Sequence, residues 1–287
     1  MTMAVIRWKG IKKDFSESPI DYQKLRKEDV PQPKGRYFKQ NTIQVFEILN
    51  TKVTEIGLNK DSDHLIIFIP GGAFISGPVK HHWDTAKTIT QRTRQKVWLC
   101  NYPKSPEANI KEMSANIDAV YQAALDRYDP SRISIIGDSV GGLLATALVQ
   151  RAIEHNRPLP KRLILISPVM DASMSNPEID RIEKQDPMLS KAGVISAKTM
   201  CAGDLALKNE MISPLYGSFK HFPETYIFMA HNDIMYPDEV LAVKKMKDAN
   251  IKVHLFEGIG MPHIWPLLPV MKEAKQSLNE IIQILNS

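Results

Sequence analysis

The sequence predicts an α/β protein with a mostly parallel central sheet and helices on both faces. Three observations carry this. Strand-like and helix-like segments alternate along most of the chain, the pattern that joins parallel strands through helical crossovers. Several strand candidates, HLIIFIP, KVWLCNYP and KRLILISP, are continuous apolar runs, which suits strands covered on both faces. The 287 residues, 43% hydrophobic and 24% charged, are ample for one sizeable core, and no second core shows in the pattern.

In chain order, residues 20–30 read as a short charged helix stopped by PQPKG. NTIQVFEILN and TKVTEIGL alternate well enough for a hairpin. HLIIFIP is the third strand. HWDTAKTITQRTRQ has helical character and leads to the strand KVWLCNYP. NIKEMSANIDAVYQAALDRY places Ile110, Met113, Ile117, Val120 and Ala124 at helical spacing. ISIIGD is a strand, GGLLATALVQRAIEH a helix and KRLILISP a strand. Residues 171–222 break the rhythm with a Ser-, Asp- and Met-rich stretch too long for an ordinary connection, which reads as an inserted lid or cap. The alternation resumes with the strand ETYIFMA, the helix PDEVLAVKKMKDAN, the strand KVHLFEG and a closing helix in PLLPVMKEAKQSLNEIIQILN.

Composition narrows the function classes. Cys100 and Cys201 are far apart and in no CxxC pattern, so neither a disulfide framework nor a structural zinc site is implied. The N-terminus lacks the apolar core of a signal peptide. No run approaches the 18 or so apolar residues of a membrane span. A cytoplasmic protein is expected. The net charge of +5 arises in residues 1–40, with ten Lys/Arg against five Asp/Glu; the remainder balances at 27 of each. The signs there are mixed, as in DYQKLRKED, so a solvated helix face is expected rather than a nucleic-acid or membrane patch.

ISIIGDSVGGLLATALV carries the chemistry. A buried strand meets a helix at Gly137-Asp138-Ser139-Val140-Gly141. In a nucleophile elbow this turn exposes the serine Oγ at the positive end of the helix, and the flanking glycines allow close backbone approach. The bland alternative is that Ser139 only caps the helix. A serine nucleophile needs a base, and on this arrangement the partners follow in the order acid, then histidine. Asp233 after ETYIFMAHN and His263 after KVHLFEGIGMP sit where that order demands. Asp238 is the rival acid, and His231 precedes the acid. His81 and His82 are candidates to line the pocket, but no HExxH-type ligand spacing is present, so no metal and no cofactor is expected. A tetrahedral oxyanion needs amide donors already in place. One is expected from Val140, the others from the PGGAF loop that ends the third strand, Leu65 to Phe74 being LIIFIPGGAF.

With these motifs the chain resembles the hormone-sensitive-lipase-like esterases of the α/β-hydrolase superfamily. GDSVGG matches their nucleophile motif and PGGA partly matches their HGGG. ISPVMDASMSNPEI, DPMLS, HNDIMYPDEV and GMPHIW extend the likeness over most of the chain from about residue 40. The resemblance implies an α/β-hydrolase fold with a small helical cap. Residues 1–40 form its N-terminal segment, 171–222 its insertion, and 41–170 with 223–287 the catalytic core. It implies that Gly72 and Ala73 supply the loop amides, with Gly71 giving backbone room. Pro70 and Ala73 depart from the motif's histidine and last glycine.

The expected activity is a carboxylesterase cleaving short- to medium-chain esters through a Ser139-His263-Asp233 triad, with Gly72, Ala73 and Val140 as oxyanion donors. Phe74, Trp83, Met188 and Trp265 are expected to line the substrate pocket. An amidase or arylformamidase would use the same machinery and stays open. A hydrolase-fold receptor is the rival from another class, and the gibberellin receptors that resemble this family lack the base that His263 supplies. The partner is a small-molecule ester, with no nucleic acid and no integral membrane segment; a homodimer is compatible with this reading.

Overall fold

Side chains of the central strands divide strictly between two apolar layers, because successive residues of a strand point to opposite faces. In β3 (Leu65–Ile69), residues Leu65, Ile67 and Ile69 join one layer, while Ile66 and Phe68 join the other. In β4 (Lys96–Asn101), Trp98 and Cys100 face the first layer, and Val97 and Leu99 the second. Both faces of these strands are buried, which is why they read as continuous apolar runs. The structure, a computed structural model, describes residues 11–39, 42–57, 62–268 and 271–287.

The hairpin β1 (Ile43–Ile48) and β2 (Thr51–Ile56) is antiparallel and pairs antiparallel with β4. From β4 onward the strands are parallel: β3, then β5 (Ile133–Asp138), β6 (Arg162–Ile166), β7 (Glu224–Ala230) and β8 (Val253–Gly258). The order across the sheet is β1-β2-β4-β3-β5-β6-β7-β8. The longer helices, in chain order, are α1 (Lys80–Thr93), α2 (Ile110–Leu125), α3 (Val140–Glu154), α4 (Lys191–Ala202), α5 (Tyr236–Asp248) and α6 (Lys272–Asn286). α1 and α6 bury Trp83, Ala86, Ile89, Ala274 and Ile281 in the second layer. α2, α3 and α5 bury Ile117, Leu143, Leu148 and Ala242 in the first. α2 starts at a capping box: Asn109 accepts from the Lys111 and Glu112 amides, and Glu112 accepts from the Asn109 amide. This is the α/β-hydrolase fold.

This topology makes the site. The chain runs from β3 out to β4, then crosses back to β5 on the other side of β3. The carboxyl ends of β3 and β5 therefore meet at a switch point, where open α/β sheets bind ligands. Ile69 lies opposite Gly137 in the register, so the PGGA loop and the Ser139 turn face each other. β7 and β8 are neighbours too, which places the segments carrying Asp233 and His263 side by side.

Two elements differ from expectation. The charged segment at 20–30 is not one helix but a four-residue turn of helix, Tyr22–Leu25, and a 3-10 turn, Arg26–Glu28. It ends where the Asp29 backbone bridges to Val79, so a tertiary contact outweighs the local preference. The closing helix begins only at Lys272; Trp265–Leu267 forms a separate 3-10 turn with Pro266 in its first positions.

The N-terminal segment packs against the 171–222 segment. Ser190 Oγ donates to the Phe15 carbonyl, and the Ile20 amide donates to Ser196 Oγ. Any Cβ on Gly193 would lie 1.8 Å from the Phe15 carbonyl oxygen, so only glycine fits there. Lys12 Nζ donates to the Glu183 and Asp186 carbonyls. Arg26 pairs with Glu107 and donates to the Ile75 and Ser105 carbonyls. These basic residues are engaged within the molecule. No helix among the described residues is long and apolar enough to cross a membrane.

Candidate active site

Ser139 stands one residue past β5 at φ +53°, ψ −124°, a backbone conformation costly for an L-residue and characteristic of functional strain. The crowding around it explains the glycines. A Cβ on Gly137 would meet the Gly141 carbonyl at 2.4 Å, and one on Gly141 would meet the Ile69 carbonyl at 2.0 Å. The Ser139 amide donates to the Ile166 carbonyl at 2.9 Å, and the Ser139 carbonyl accepts from Gly142 and Val169. Ser139 holds the N-cap position of α3, yet its side chain makes no capping hydrogen bond. The bland capping role is therefore not the one it plays.

The β3 loop is bent by three successive positive φ angles, at Gly72 (+131°), Ala73 (+54°) and Phe74 (+67°). Tyr102 Oη donates to the Pro70 carbonyl at 2.8 Å, and the Gly71 amide donates to Asp138 Oδ1 at 3.0 Å. The loop is thus tied to the nucleophile turn by the residue next to Ser139. Among the described residues, the amides of Gly72, Ala73 and Val140 donate to no protein acceptor. The family-like glycine at position 73 is an alanine held in the left-handed region, where Cβ sterics cost about 1–2 kcal/mol. Ala73→Gly is therefore expected to stabilise the protein by up to about 1 kcal/mol once glycine's greater freedom in the unfolded chain is set against that strain. A thermal melt checks this; a lower Tm would mean the loop geometry is wrong.

Asp138 is buried and braced from the far side. The Val79 amide donates to His82 Nδ1 at 3.0 Å, so the His82 ring carries its hydrogen on Nε2, which lies 3.3 Å from Asp138 Oδ2. Burial pushes the Asp138 carboxyl up, but His82, His81 and the Gly71 amide outweigh it and hold it below its ordinary value. His81 stacks obliquely on His82 at 4.1 Å, and its buried Nε2 has no partner among the described residues. Burial, then the neighbouring His82, lowers His81 to about 3, so it is neutral at ordinary pH. Ligand atoms of His81, His82 and Asp138 fall within 4.8 Å of one another. A metal there would have to displace the His82–Asp138 contact that supports the loop, so the trio fits a brace better than a coordination shell.

His263 Nδ1 lies 2.6 Å from Asp233 Oδ2. A carboxylate only accepts, so Nδ1 bears the hydrogen and Nε2 is left with its lone pair free to accept a proton. The Met235 amide donates to Asp233 Oδ1 at 3.0 Å, fixing the carboxylate's plane. The two loops are tied together by the Asn232 amide, which donates to the Met261 carbonyl, and the His263 loop is anchored to the end of β6 by the Ile264 amide, which donates to Ser167 Oγ. Burial pushes the His263 ring down, but the Asp233 charge and hydrogen bond, with Asp186 and Asp138 beyond, hold it above its ordinary 6.5. Asp238, the rival acid, instead accepts from Asn176 Nδ2 in the 171–222 segment. His231 packs on Tyr236 and lies 3.4 Å from Glu257.

Two further acids back this pair, and sequence reasoning missed both. Asp186, in DPMLS, accepts from the Met188, Leu189 and Ile234 amides and so joins the 171–222 segment to the Asp233 loop. Burial, with Asp233 nearby, pushes it up to about 6. Glu239 is fully buried with neither oxygen partnered among the described residues, and burial holds it protonated well above its usual range.

Ser139, His263, Gly72, Ala73 and Val140 line one cavity of about 150 Å³. Of the expected pocket walls, Met188 lines it. Phe74, Trp83 and Trp265 lie outside its lining. Phe74 is packed in the first core layer under the loop, its carbonyl accepting from Ser105. Trp83 Nε1 donates to the Val30 carbonyl and its ring meets Phe38, so it clamps the N-terminal segment. Trp265 donates to Ser277 on α6 and packs near Phe228. The cavity instead takes Phe15, Leu189, Val194, Lys198 and Met235. Lys198 had a visible signal, being the sole charge between Lys191 and Asp204.

Comparison with known proteins agrees with this architecture. Residues 66–267 match a family model for the α/β-hydrolase fold. An esterase of Acinetobacter venetianus is 30% identical over 261 residues, spanning 88% of this chain and 85% of that protein. Esterase LipU of Mycobacterium tuberculosis is 25% identical over 225 residues, with 75% of each chain covered. The crystal structure of a hormone-sensitive lipase from a metagenome library superposes with a TM-score of 0.84 at 20% identity, covering 99% of this chain and 96% of that one. The chain belongs to the α/β-hydrolase fold family, and its 30%-identical relative in that family is named an esterase.

Proposed function

We propose that the protein is a serine carboxylesterase acting on short-chain carboxylic esters. Ser139 Oγ attacks the ester carbonyl while its proton passes to His263 Nε2. The carbonyl oxygen becomes an oxyanion facing the amides of Gly72, Ala73 and Val140. The imidazolium, supported by Asp233, returns the proton to the departing alcohol. Water then attacks the acyl-enzyme by the same route and releases the carboxylic acid. The observation that carries this reading is the convergence on one cavity of a strained, uncapped serine, three unengaged amides and a histidine already paired to a buried acid. The activity of the Acinetobacter relative, named an esterase, supports it.

In this reading residues 11–39 and 171–222 form a cap over the rest of the described chain, since Phe15, Met188, Leu189, Val194 and Lys198 close the cavity; residues 1–10 and 40 of the expected cap segment lie outside the described residues. Its volume of about 150 Å³ equals that of a cavity known to hold benzene, about 150 Å³, so short acyl chains fit best. We place the protein in the cytoplasm on its two unpaired, buried thiols, Cys100 and Cys201.

The test is a series of p-nitrophenyl esters from acetate to dodecanoate, run beside fluorophosphonate labelling and mass-spectrometric mapping. One equivalent of label on Ser139 and turnover greatest for the shortest chains are expected. Absence of both label and ester turnover would overturn the reading. Faster cleavage of acyl anilides than of the matching esters would replace it with an amidase.

A further inference from the structure

We propose that Lys198 gives the acyl pocket a carboxylate subsite, so that the preferred substrates are monoesters of short dicarboxylic acids. The proposal rests on the esterase reading of the same cavity.

Lys198 projects from α4, one turn beyond Val194, and both side chains line the cavity. The residue is 1% exposed, which is rare for a lysine without a paired acid. Its Nζ reaches the Asp171 carbonyl at 3.3 Å and Met174 Sδ at 3.2 Å. An ammonium has three hydrogens to donate, and a thioether is a weak acceptor. One long bond and one weak one leave most of that capacity unused, in a place where burying an unsatisfied charge is expensive. Burial lowers the amine to about 8, with Asp171, Asp238 and Asp233 opposing the shift from a distance. It therefore stays largely charged at neutral pH.

The surroundings say what would complete it. The apolar lining of the same cavity comprises Phe15, Val169, Met188, Leu189, Val194 and Met235, among others, all of which suit methylene groups. A cavity of this volume accepts about six heavy atoms, as benzene shows. The tail of a glutaryl group, three methylenes and a carboxylate, has that count. Its methylenes would lie on the apolar walls while the carboxylate meets the ammonium. A plain alkyl tail of the same length would bury the ammonium with no anion beside it. The subsite thus favours one tail and penalises the other, which is how polar pockets discriminate most strongly.

The experiment compares kcat/KM for mono-p-nitrophenyl glutarate and p-nitrophenyl butyrate in the wild type, Lys198→Met and Lys198→Arg, with thermal melts to confirm folding. A hydrogen bond to a charged group is worth about 1.5–3 kcal/mol, so the glutarate-to-butyrate ratio is expected to fall about 10- to 100-fold in Lys198→Met, mainly through KM for the glutarate. Lys198→Arg, which keeps the charge, should retain part of the ratio. In the wild type, free glutarate should inhibit butyrate turnover more strongly than valerate, which lacks the second carboxylate; this holds even if the variants fail to fold. An unchanged ratio in a folded Lys198→Met, or equal inhibition by glutarate and valerate, overturns the subsite. Butyrate cleavage without glutarate preference sinks the subsite alone, whereas a wild type that cleaves neither ester sinks the esterase reading.

Discussion

Ser139→Ala is expected to lower kcat for p-nitrophenyl butyrate about a million-fold, the loss seen when a serine nucleophile is removed from a complete triad. The substitution deletes one oxygen and nothing else. Alanine keeps the Cβ, so the φ of +53° is neither relieved nor worsened, and the backbone bonds of residue 139 to Ile166, Gly142 and Val169 persist. Since the hydroxyl makes no capping bond, the melting temperature should hardly move. That separation is diagnostic: a purely structural Ser139 would show the reverse, a shift in Tm with activity intact. Residual catalysis about 1,000- to 10,000-fold above water should survive, because the amides of Gly72, Ala73 and Val140 are untouched. Turnover within tenfold of wild type would refute the nucleophile assignment.

The fold was legible because burial on both faces leaves a plain signature. LIIFI carries apolar residues at every position, and RLILI does after its opening Arg162, because one layer takes the odd residues and the other the even. The candidate site was legible where its residues sit just past a strand: Ser139 after β5, Asp233 after β7, His263 after β8. Strand neighbourhood then does the assembling. The pocket walls were not legible. Trp83 and Trp265 advertise burial, yet nothing local says what they bury against. Trp83 is taken up by the Val30 carbonyl, 53 residues away in sequence, and Trp265 by α6. Phe15 and Lys198 line the cavity only because the N-terminal segment folds onto α4, a contact sealed by the Phe15 carbonyl against Gly193. A one-dimensional pattern records that a residue is covered, not by what. The same limit applies to Asp238, five residues from Asp233 and equally buried, but turned toward Asn176.

Asp233→Asn is expected to lower kcat about 10,000-fold and to move the acid limb of the pH profile. The structure explains why so conservative a change should be so damaging. The Met235 amide donates to Asp233 Oδ1, and an asparagine in this place will keep its oxygen there. Its NH2 is then turned toward His263 Nδ1, which must accept rather than donate. The ring hydrogen moves to Nε2, which can then no longer accept a proton. The pH dependence follows from the same pair. In the wild type the His263 pKa lies above 6.5, because Asp233 outweighs burial. Only the neutral ring is a base, so kcat/KM should fall as pH drops through that raised value. The linked stability runs the other way: a raised histidine contributes fully below its unfolded pKa of about 6.5 and loses that contribution as pH rises through the folded value. Removing the Asp233 charge leaves burial dominant, so the residual activity of Asp233→Asn should persist to lower pH than in the wild type. The Asp186 carboxyl complicates the wild-type limb, since it rises to about 6 beside Asp233 and its protonation removes one of the charges holding His263 up. An acid limb that stays in place in Asp233→Asn would show that Asp233 does not set the histidine, whatever the loss in kcat.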